Sequence, residues 1–358
     1  MKEKNPSEKE VLEALSGVLD PDLKKDLVSL GMIKDVKIKD GEVSFTIVLT
    51  TPACPLKGKI EKDSKDAVMK LPGVKDVKVK LDSSVKAFKK ISAEDLIPNV
   101  KNTIAIASGK GGVGKSTVSV NLALALSGCL ARVGLFDADL YGPTIPQMLG
   151  VKSGTGSAGK GVHIESGKII PAEDYNLKII SIDFFLEEST PLIWRGPLVA
   201  GAIQQFLRDV DWGELDYMII DLPPGTGDAQ LTLAQTIPLT GAVIVTTPQD
   251  VAKKIAIKAL KLFQQLNVPI LGIIENMSYF LCPHCGKRSE IFSYGGGRKA
   301  GEDLGVPFLG EIPIDLNLRI SGDEGKPFIL ENPDSEVSKI FAQIAGNLAR
   351  QISILSHK

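Results

Sequence analysis

The densest chemistry in the chain lies in one glycine-rich run. Gly109-Lys110-Gly111-Gly112-Val113-Gly114-Lys115-Ser116 matches the phosphate-loop pattern G-x-x-x-x-G-K-[ST] in full, with Thr117 next in line. The glycines let backbone N–H groups turn inward around phosphate oxygens, and the N-terminus of the helix that follows adds a positive dipole end. A lysine placed as Lys115 reaches the β- and γ-phosphates, and a hydroxyl placed as Ser116 holds magnesium. The expected ligand is therefore ATP with Mg2+. Lys110 is a second cation inside the loop. It cannot easily fold back on its own phosphates, because the loop occupies that side. It can reach a nucleotide on a second subunit and neutralise charge developing there, as an arginine finger does in trans.

Two strand ends supply carboxylates. Val133-Gly-Leu-Phe-Asp137-Ala-Asp139 runs from apolar residues into two acids, and a second apolar run ends at Asp221-Leu-Pro-Pro-Gly225-Thr-Gly227-Asp228. Ligands of open α/β sheets gather at the carboxyl ends of strands, so both segments are expected beside the phosphate loop. Asp221 is assigned to magnesium through water, and Asp139 to orienting the attacking water. The expected catalytic groups are thus Lys110, Lys115 and Asp139. Asp137 fits either carboxylate role, or a helix N-cap. Gly225 and Gly227 suit a loop that senses the γ-phosphate.

Cys282-Pro-His-Cys285 has the spacing of a metal-ligand pair. Two thiolates are half of a closed tetrahedral set. Cys129 lies in an apolar helical stretch and reads as core, while His284 shares the tight loop and makes a poor second pair. Two subunits that bring this hairpin to a twofold axis supply four thiolates. Zinc, an iron–sulfur cluster and a redox disulfide all remain open on spacing alone.

The elements that must position these groups follow a doubly wound pattern. Short apolar strands are expected at Thr103–Ala107, Val133–Phe136, Lys178–Ile182, Tyr217–Ile220, Ala242–Thr246, Ile270–Ile274 and Phe308–Ile312, with helices between most of them. This is the signature of a mainly parallel sheet covered on both faces, here over residues 100–358. Gly150 to Gly161 reads as a loop. Ser335 to Ile354 reads as one amphipathic helix, with Ile340, Phe341, Ile344, Leu348 and Ile352 packing on the sheet or, alternatively, lying on a membrane surface. Residues 1–82 form a smaller α+β unit. Ser7 and Glu10 stand at capping-box spacing, Asp40-Gly41 separates two alternating strands, a helix spans Lys59 to Leu71, and Val74, Val77 and Val79 open a short last strand. Residues 83–99 read as the linker.

Bulk properties narrow the class. Of 358 residues, 43% are apolar and 24% charged, which excludes wholesale disorder. A formal net charge of -1 argues against a dedicated nucleic-acid binder. No signal-peptide core and no membrane-spanning apolar run is seen, so a cytoplasmic protein with reduced thiols and no membrane partner is expected.

Lys110-Gly-Gly-Val-Gly-Lys115-Ser-Thr resembles the deviant Walker motif of the MinD-like P-loop ATPases. Asp137-Ala-Asp-Leu-Tyr-Gly-Pro143, Trp194-Arg-Gly-Pro197, Asp221 to Asp228, Glu275-Asn-Met-Ser278 and Cys282-Pro-His-Cys285 together resemble the Mrp/ApbC branch of that family. Thr50-Thr-Pro-Ala-Cys54-Pro55 resembles the small domain of iron–sulfur assembly factors. The resemblance covers the whole chain. It implies a homodimer whose paired cysteines bridge a labile 4Fe-4S cluster, taken from cluster donors and passed to apoproteins. It also implies that Lys110 crosses the dimer interface, that Asn276 recognises the adenine, and that Cys54 helps in cluster or iron handling. The first rival is a MinD/ParA-like positioning ATPase, which has no use for Cys282 and Cys285. The second is a nucleotide-switched dimer stapled by zinc.

Overall fold

The computed structural model describes residues 5–88, 96–151, 161–185 and 196–357. The chain divides into two compact units, Met1–Lys86 with Ala349–Lys358, and Ala87–Leu348. In the first, α1 (Glu8–Leu15) opens on the expected capping box, with Ser7 N donating to Glu10 Oε2 at 2.6 Å and Glu10 N to Ser7 Oγ at 3.3 Å. A short ribbon, β1 (Leu19–Asp20) and β2 (Lys25–Asp26), leads to the hairpin β3 (Ile33–Lys39) and β4 (Glu42–Leu49). The hairpin turns at Asp40 and Gly41, both at positive φ. Helix α2 (Lys57–Met69) then crosses to β5 (Asp76–Ser83), which pairs parallel with β4. Val11, Leu15, Phe45, Ile47, Ile60, Val68 and Val77 fill the core. The last strand is longer than the valine spacing suggests and runs into the stretch read as linker. All eight residues of β4 offer it a register partner, so pairing continues past the apolar residues to Ser83.

The larger unit begins with β6 (Thr103–Ser108), α3 (Lys115–Gly128), β7 (Val133–Asp137) and α4 (Ile145–Leu149). Three-residue strands β8 (His163–Glu165), β9 (Lys168–Ile170) and β10 (Ala172–Asp174) precede β11 (Leu177–Ser181), α5 (Gly196–Asp209), β12 (Tyr217–Asp221) and α6 (Asp228–Thr236). Then come β13 (Gly241–Thr246), α7 (Asp250–Gln265), β14 (Ile270–Glu275), the ribbon β15 (Phe280–Leu281) and β16 (Arg288–Ser289), and α8 (Gly296–Leu304). The chain ends with β17 (Phe308–Glu311), α9 (Leu316–Glu324), α10 (Phe328–Glu331) and α11 (Glu336–Ser356). Strands β10-β11-β7-β12-β6-β13-β14-β17 form one sheet in that order, parallel throughout except for β10 at one edge. The seven anticipated strands are present, each within one residue at either end. Strands β8 to β10 were not anticipated, since three residues are too few for periodicity to mark.

Strand β6 is central, with β12 and β13 on either side, and the chain leaves it in both directions along the sheet. This is the topological switch point, where the carboxyl ends of the strands open a crevice. The buried face of α11 packs on the sheet, as one of the two readings held. Gly310 leaves room for it: a Cβ there would lie 2.6 Å from Ile344 Cγ1, and Asn347 Nδ2 donates to Leu309 O at 2.8 Å. Phe341, Ile344 and Leu348 are buried in the larger unit and Ile340 is only half-buried at the margin of the face; Ile352, also buried, belongs to the stretch of α11 in the smaller unit. Among the described residues no helix is long and apolar enough to cross a membrane. Most of the Gly150–Gly161 loop, together with Trp194 and Arg195, lies outside the described residues.

Candidate functional site

The phosphate loop links the end of β6 to the start of α3. Gly112 and Gly114 sit at φ 76° and 78°, in the left-handed region that favours glycine. Gly114 is also the N-cap of α3, and no side chain caps that helix. Its first N–H groups are thus free to meet an anion. Gly111 and the half-buried Gly109 and Lys110 complete the rim, and Thr117 continues the first turn of the helix. Ser108 Oγ donates to Lys110 O at 3.0 Å, and Gly225 N donates to Ser108 O at 3.0 Å. The Asp221–Asp228 segment is therefore tied to the strand that carries the loop. The Lys110 ammonium makes no ion pair among the described residues.

Three carboxylates converge below the loop. Asp221 ends β12 and pairs in register with Asp137 at the end of β7. Lys115 Nζ lies 2.7 Å from Asp221 Oδ2 and 3.6 Å from Asp139 Oδ2. Ser116 Oγ donates to the same Asp221 oxygen at 2.7 Å, and Ser119 Oγ to the other at 2.6 Å. Asp221 and Asp137 are fully buried, and Lys115 and Asp139 nearly so. Ser119 was missed in the sequence. It lies one turn beyond Lys115 and Ser116 on the same face of α3, and that spacing was the available signal. The hydroxyl and carboxylate oxygens form a hard donor set, and negative charge exceeds positive here. Both features fit a divalent cation such as magnesium.

Asp137 also organises the loop that follows it. Its carboxylate accepts N–H bonds from Asp139, Thr144 and Ile145 and a hydroxyl bond from Ser181. Asp137 is not itself the N-cap of α4, which is Thr144, but its carboxylate takes the N–H groups of Thr144 and Ile145 at that helix start. Burial pushes its acid up to about 7, with the charge of Asp221 adding to the effect and Lys115 opposing it. Burial also raises Asp139, again opposed by Lys115.

Asn276 lies directly under the loop rather than at its rim. Its Nδ2 donates to Val113 O at 2.8 Å, and a Cβ on Gly114 would come within 2.2 Å of that nitrogen. The side-chain amide is thus used to hold the loop.

The cysteine pair occupies a separate ribbon. Cys282 N donates to Lys287 O at 3.0 Å, and Gly286 N to Cys282 O at 2.8 Å, closing a tight knuckle. Backbone N–H groups of His284 and then Cys285 point at the Cys282 sulfur, and with the Cys285 thiol they lower its pKa. The thiolate form that binds metal is thus favoured. The stem is fixed by Arg288, whose guanidinium lies 3.9 Å from the Tyr279 ring centre and 4.4 Å from that of Tyr294. Cys285 is exposed, and the excursion between β14 and α8 that carries it also exposes Leu281, Ile291, Phe292 and Tyr294. Cys129 departs from the core assignment. It caps the C-terminus of α3 and is half-buried, because the helix ends there. In the smaller unit Cys54 is half-buried between β4 and α2, and burial pushes its thiol up.

Two outcomes are expected. An unfolded Asp titrates near 3.8, whereas folded Asp137 holds its proton to about 7. Between these values the folded chain binds the extra proton, so this group lowers stability as pH rises. In nucleotide-free, magnesium-free protein, Asp137→Asn should flatten that fall, read as urea midpoints from pH 4 to 8; an unchanged slope would contradict it. Iodoacetamide at neutral pH should modify Cys282 several-fold faster than Cys54, read by peptide mass spectrometry, because the thiolate is the nucleophile.

A family model described as a NUBPL iron-transfer P-loop NTPase matches residues 99–349, and one described as an iron-sulfur cluster assembly protein matches residues 8–81. The iron-sulfur cluster carrier protein of Synechocystis sp. is 49% identical over 346 residues, 96% of this chain and 97% of its own length. A nucleotide-binding protein of Archaeoglobus fulgidus, solved with ADP and cobalt, is 39% identical with a TM-score of 0.57, over 66% of this chain and 93% of that one. The cell division ATPase MinD of Pyrococcus furiosus, at 23% identity and a TM-score of 0.50 over 69% of this chain and 97% of its own, shares the fold. With its phosphate loop, its strand-end carboxylates and its sheet all inside the matched stretch, the chain belongs to the NUBPL iron-transfer family of P-loop NTPases.

Proposed function

We propose that the chain is an ATP-hydrolysing iron–sulfur cluster carrier, working as a homodimer that holds a labile 4Fe-4S cluster between subunits and hands it to apoproteins. The observation that carries this reading is the Cys282/Cys285 knuckle: two thiols, one already biased toward thiolate, on an excursion that also exposes apolar side chains. A cubane needs four thiolates, and a second copy of the same ribbon supplies the missing two. The names of the similar carrier proteins point the same way. Thiolate chemistry of this kind calls for a reducing compartment such as the cytoplasm.

The nucleotide half of the reading rests on the loop. The N–H groups at Gly114 and the start of α3, which no side chain caps, donate to the phosphates, and Lys115 turns from Asp221 to the β- and γ-oxygens. Magnesium, held through Ser116 and Asp221, would neutralise phosphate charge. Asp139 orients a water, whose oxygen bonds to the γ-phosphorus as the bond to the bridging oxygen of ADP breaks. Lys110 from the other subunit meets the charge that develops, which explains a loop ammonium that makes no ion pair among the described residues.

Anaerobic reconstitution should give iron and sulfide uptake and a dimer in wild type, and neither in Cys282→Ser/Cys285→Ser. Zinc in place of iron, with no visible absorption, would overturn the carrier reading. Lys110→Ala should slow hydrolysis on the order of 10³-fold or more at saturating ATP. Normal hydrolysis by a Lys110→Ala monomer would remove the trans role.

A further inference from the structure

Three residues at and just beyond the end of β14, Glu275, Asn276 and Ser278, touch both halves of the proposed machine. Glu275 is fully buried. Its carboxylate accepts from Ser278 Oγ at 2.6 Å, from Gly295 N at 3.3 Å and from Gly297 N. Ser278 lies where the chain departs toward the cysteine ribbon. Gly295 and Gly297 lie where it returns, at the start of α8. One carboxylate thus closes the stem of the excursion that carries Cys282 and Cys285. Gly297 is packed on it, since a Cβ there would lie 3.0 Å from Glu275 Cβ.

The adjacent Asn276 faces the other way. Its Nδ2 holds the carbonyl of Val113, in the phosphate loop. Between Asn276 and Ser278, Met277 takes φ 55°, a left-handed conformation that costs a non-glycine residue energy. Glu275 and Asn276 serve opposite partners because side chains alternate along a strand, and the kink beyond them lets Ser278 fold back onto Glu275. Main-chain bonds fix the kink on both sides: Asn276 N to Thr246 O at 2.8 Å and Ser278 N to Ile312 O at 2.9 Å.

The Val113 carbonyl and the Gly114 N–H belong to one rigid peptide plane. That N–H is among the donors a phosphate would meet. Turning it onto phosphate must tilt the carbonyl that Asn276 holds. The tilt either drags Asn276 or releases it, and either change reaches Ser278 and the Glu275 clamp through a strained residue.

We infer that Glu275, Asn276 and Ser278 are positioning residues that couple phosphate binding in the loop to the setting of the Cys282/Cys285 ribbon. The inference rests on the carrier reading above, and it adds the physical link between its two sites. The coupling acts within one subunit and needs no dimer. By linkage it is reciprocal, so metal on the cysteines changes nucleotide affinity by the same factor.

The test uses the full chain, free of cluster, at a dilution where sedimentation shows monomer. Iodoacetamide rates at Cys282 and Cys285 are measured with and without Mg-ADP, with Cys54 as internal control. Wild type should show a change of about fivefold or more, the low end of ordinary coupling. In Ser278→Ala the ratio should fall toward one, while fluorescent ADP still binds and the melting profile stays cooperative. Glu275→Gln should do the same where it folds; Ser278→Ala carries the test where it does not. A purely structural Ser278 would alter melting and leave the ratio intact, and that result overturns the inference. So does a wild-type ratio of one. Failure of cluster reconstitution in wild type would instead sink the carrier reading, so the two failures are distinguishable.

Discussion

A buried negative charge at the end of β12 sets the terms for everything around it. Asp221 stands in register with Asp137, on strands that run about 4.8 Å apart, and both are sealed from water. Two such carboxylates cannot both be charged without compensation. The chain supplies one ammonium, Lys115, and two hydroxyls, Ser116 and Ser119, all from the first turns of α3. Removing one member of a buried ion pair typically costs roughly 3–5 kcal/mol, because the other charge is left stranded. The helix must therefore start where it does. Asp137 takes the other route, keeping its proton to about 7 and spending its oxygens on the turn into α4. The site is thus short of positive charge before any ligand arrives, which is the condition a magnesium-bearing nucleotide relieves.

The sequence made these parts legible to the extent that their causes are local. Gly109 to Ser116 is contiguous, and its geometry follows from glycine and a helix start. The seven strands are short apolar runs, four of them ending at an acid (Asp137, Asp221, Glu275 and Glu311), so their ends could be placed within a residue. What stayed hidden depends on contacts between distant segments. Ser119 reads as one more residue of an apolar helix until Asp221 is brought beside it from more than a hundred positions away. Glu275 and Asn276 were visible as part of a family motif, yet their neighbours Gly297 and Val113 come from a helix start and a loop far apart in the chain. The length of β5 was hidden for a similar reason, because Lys80 to Ser83 are held by pairing with β4 rather than by their own pattern.

The two candidate sites differ in how they are built, and the difference suits their proposed tasks. The phosphate site is dry, crowded and anchored by charges that have nowhere else to go. The cysteine knuckle is solvated. The Cys282 sulfur is supported by backbone N–H groups on one short turn, with Arg288 bracing the stem and no buried counter-charge among the described residues. Metal sites hold their cargo through outer-shell partners that fix and shield the ligands, and stripping such partners typically costs 10–100-fold in affinity. A ribbon with few of them binds through its thiolates alone. Retention must then come from what covers the ribbon, a second copy being the cover proposed here. A change at the stem alters that cover without breaking a sulfur–iron bond. This places control of release at the buried Glu275–Ser278 hinge, where three ordered hydrogen bonds can be gained or lost together, and away from the cysteines themselves.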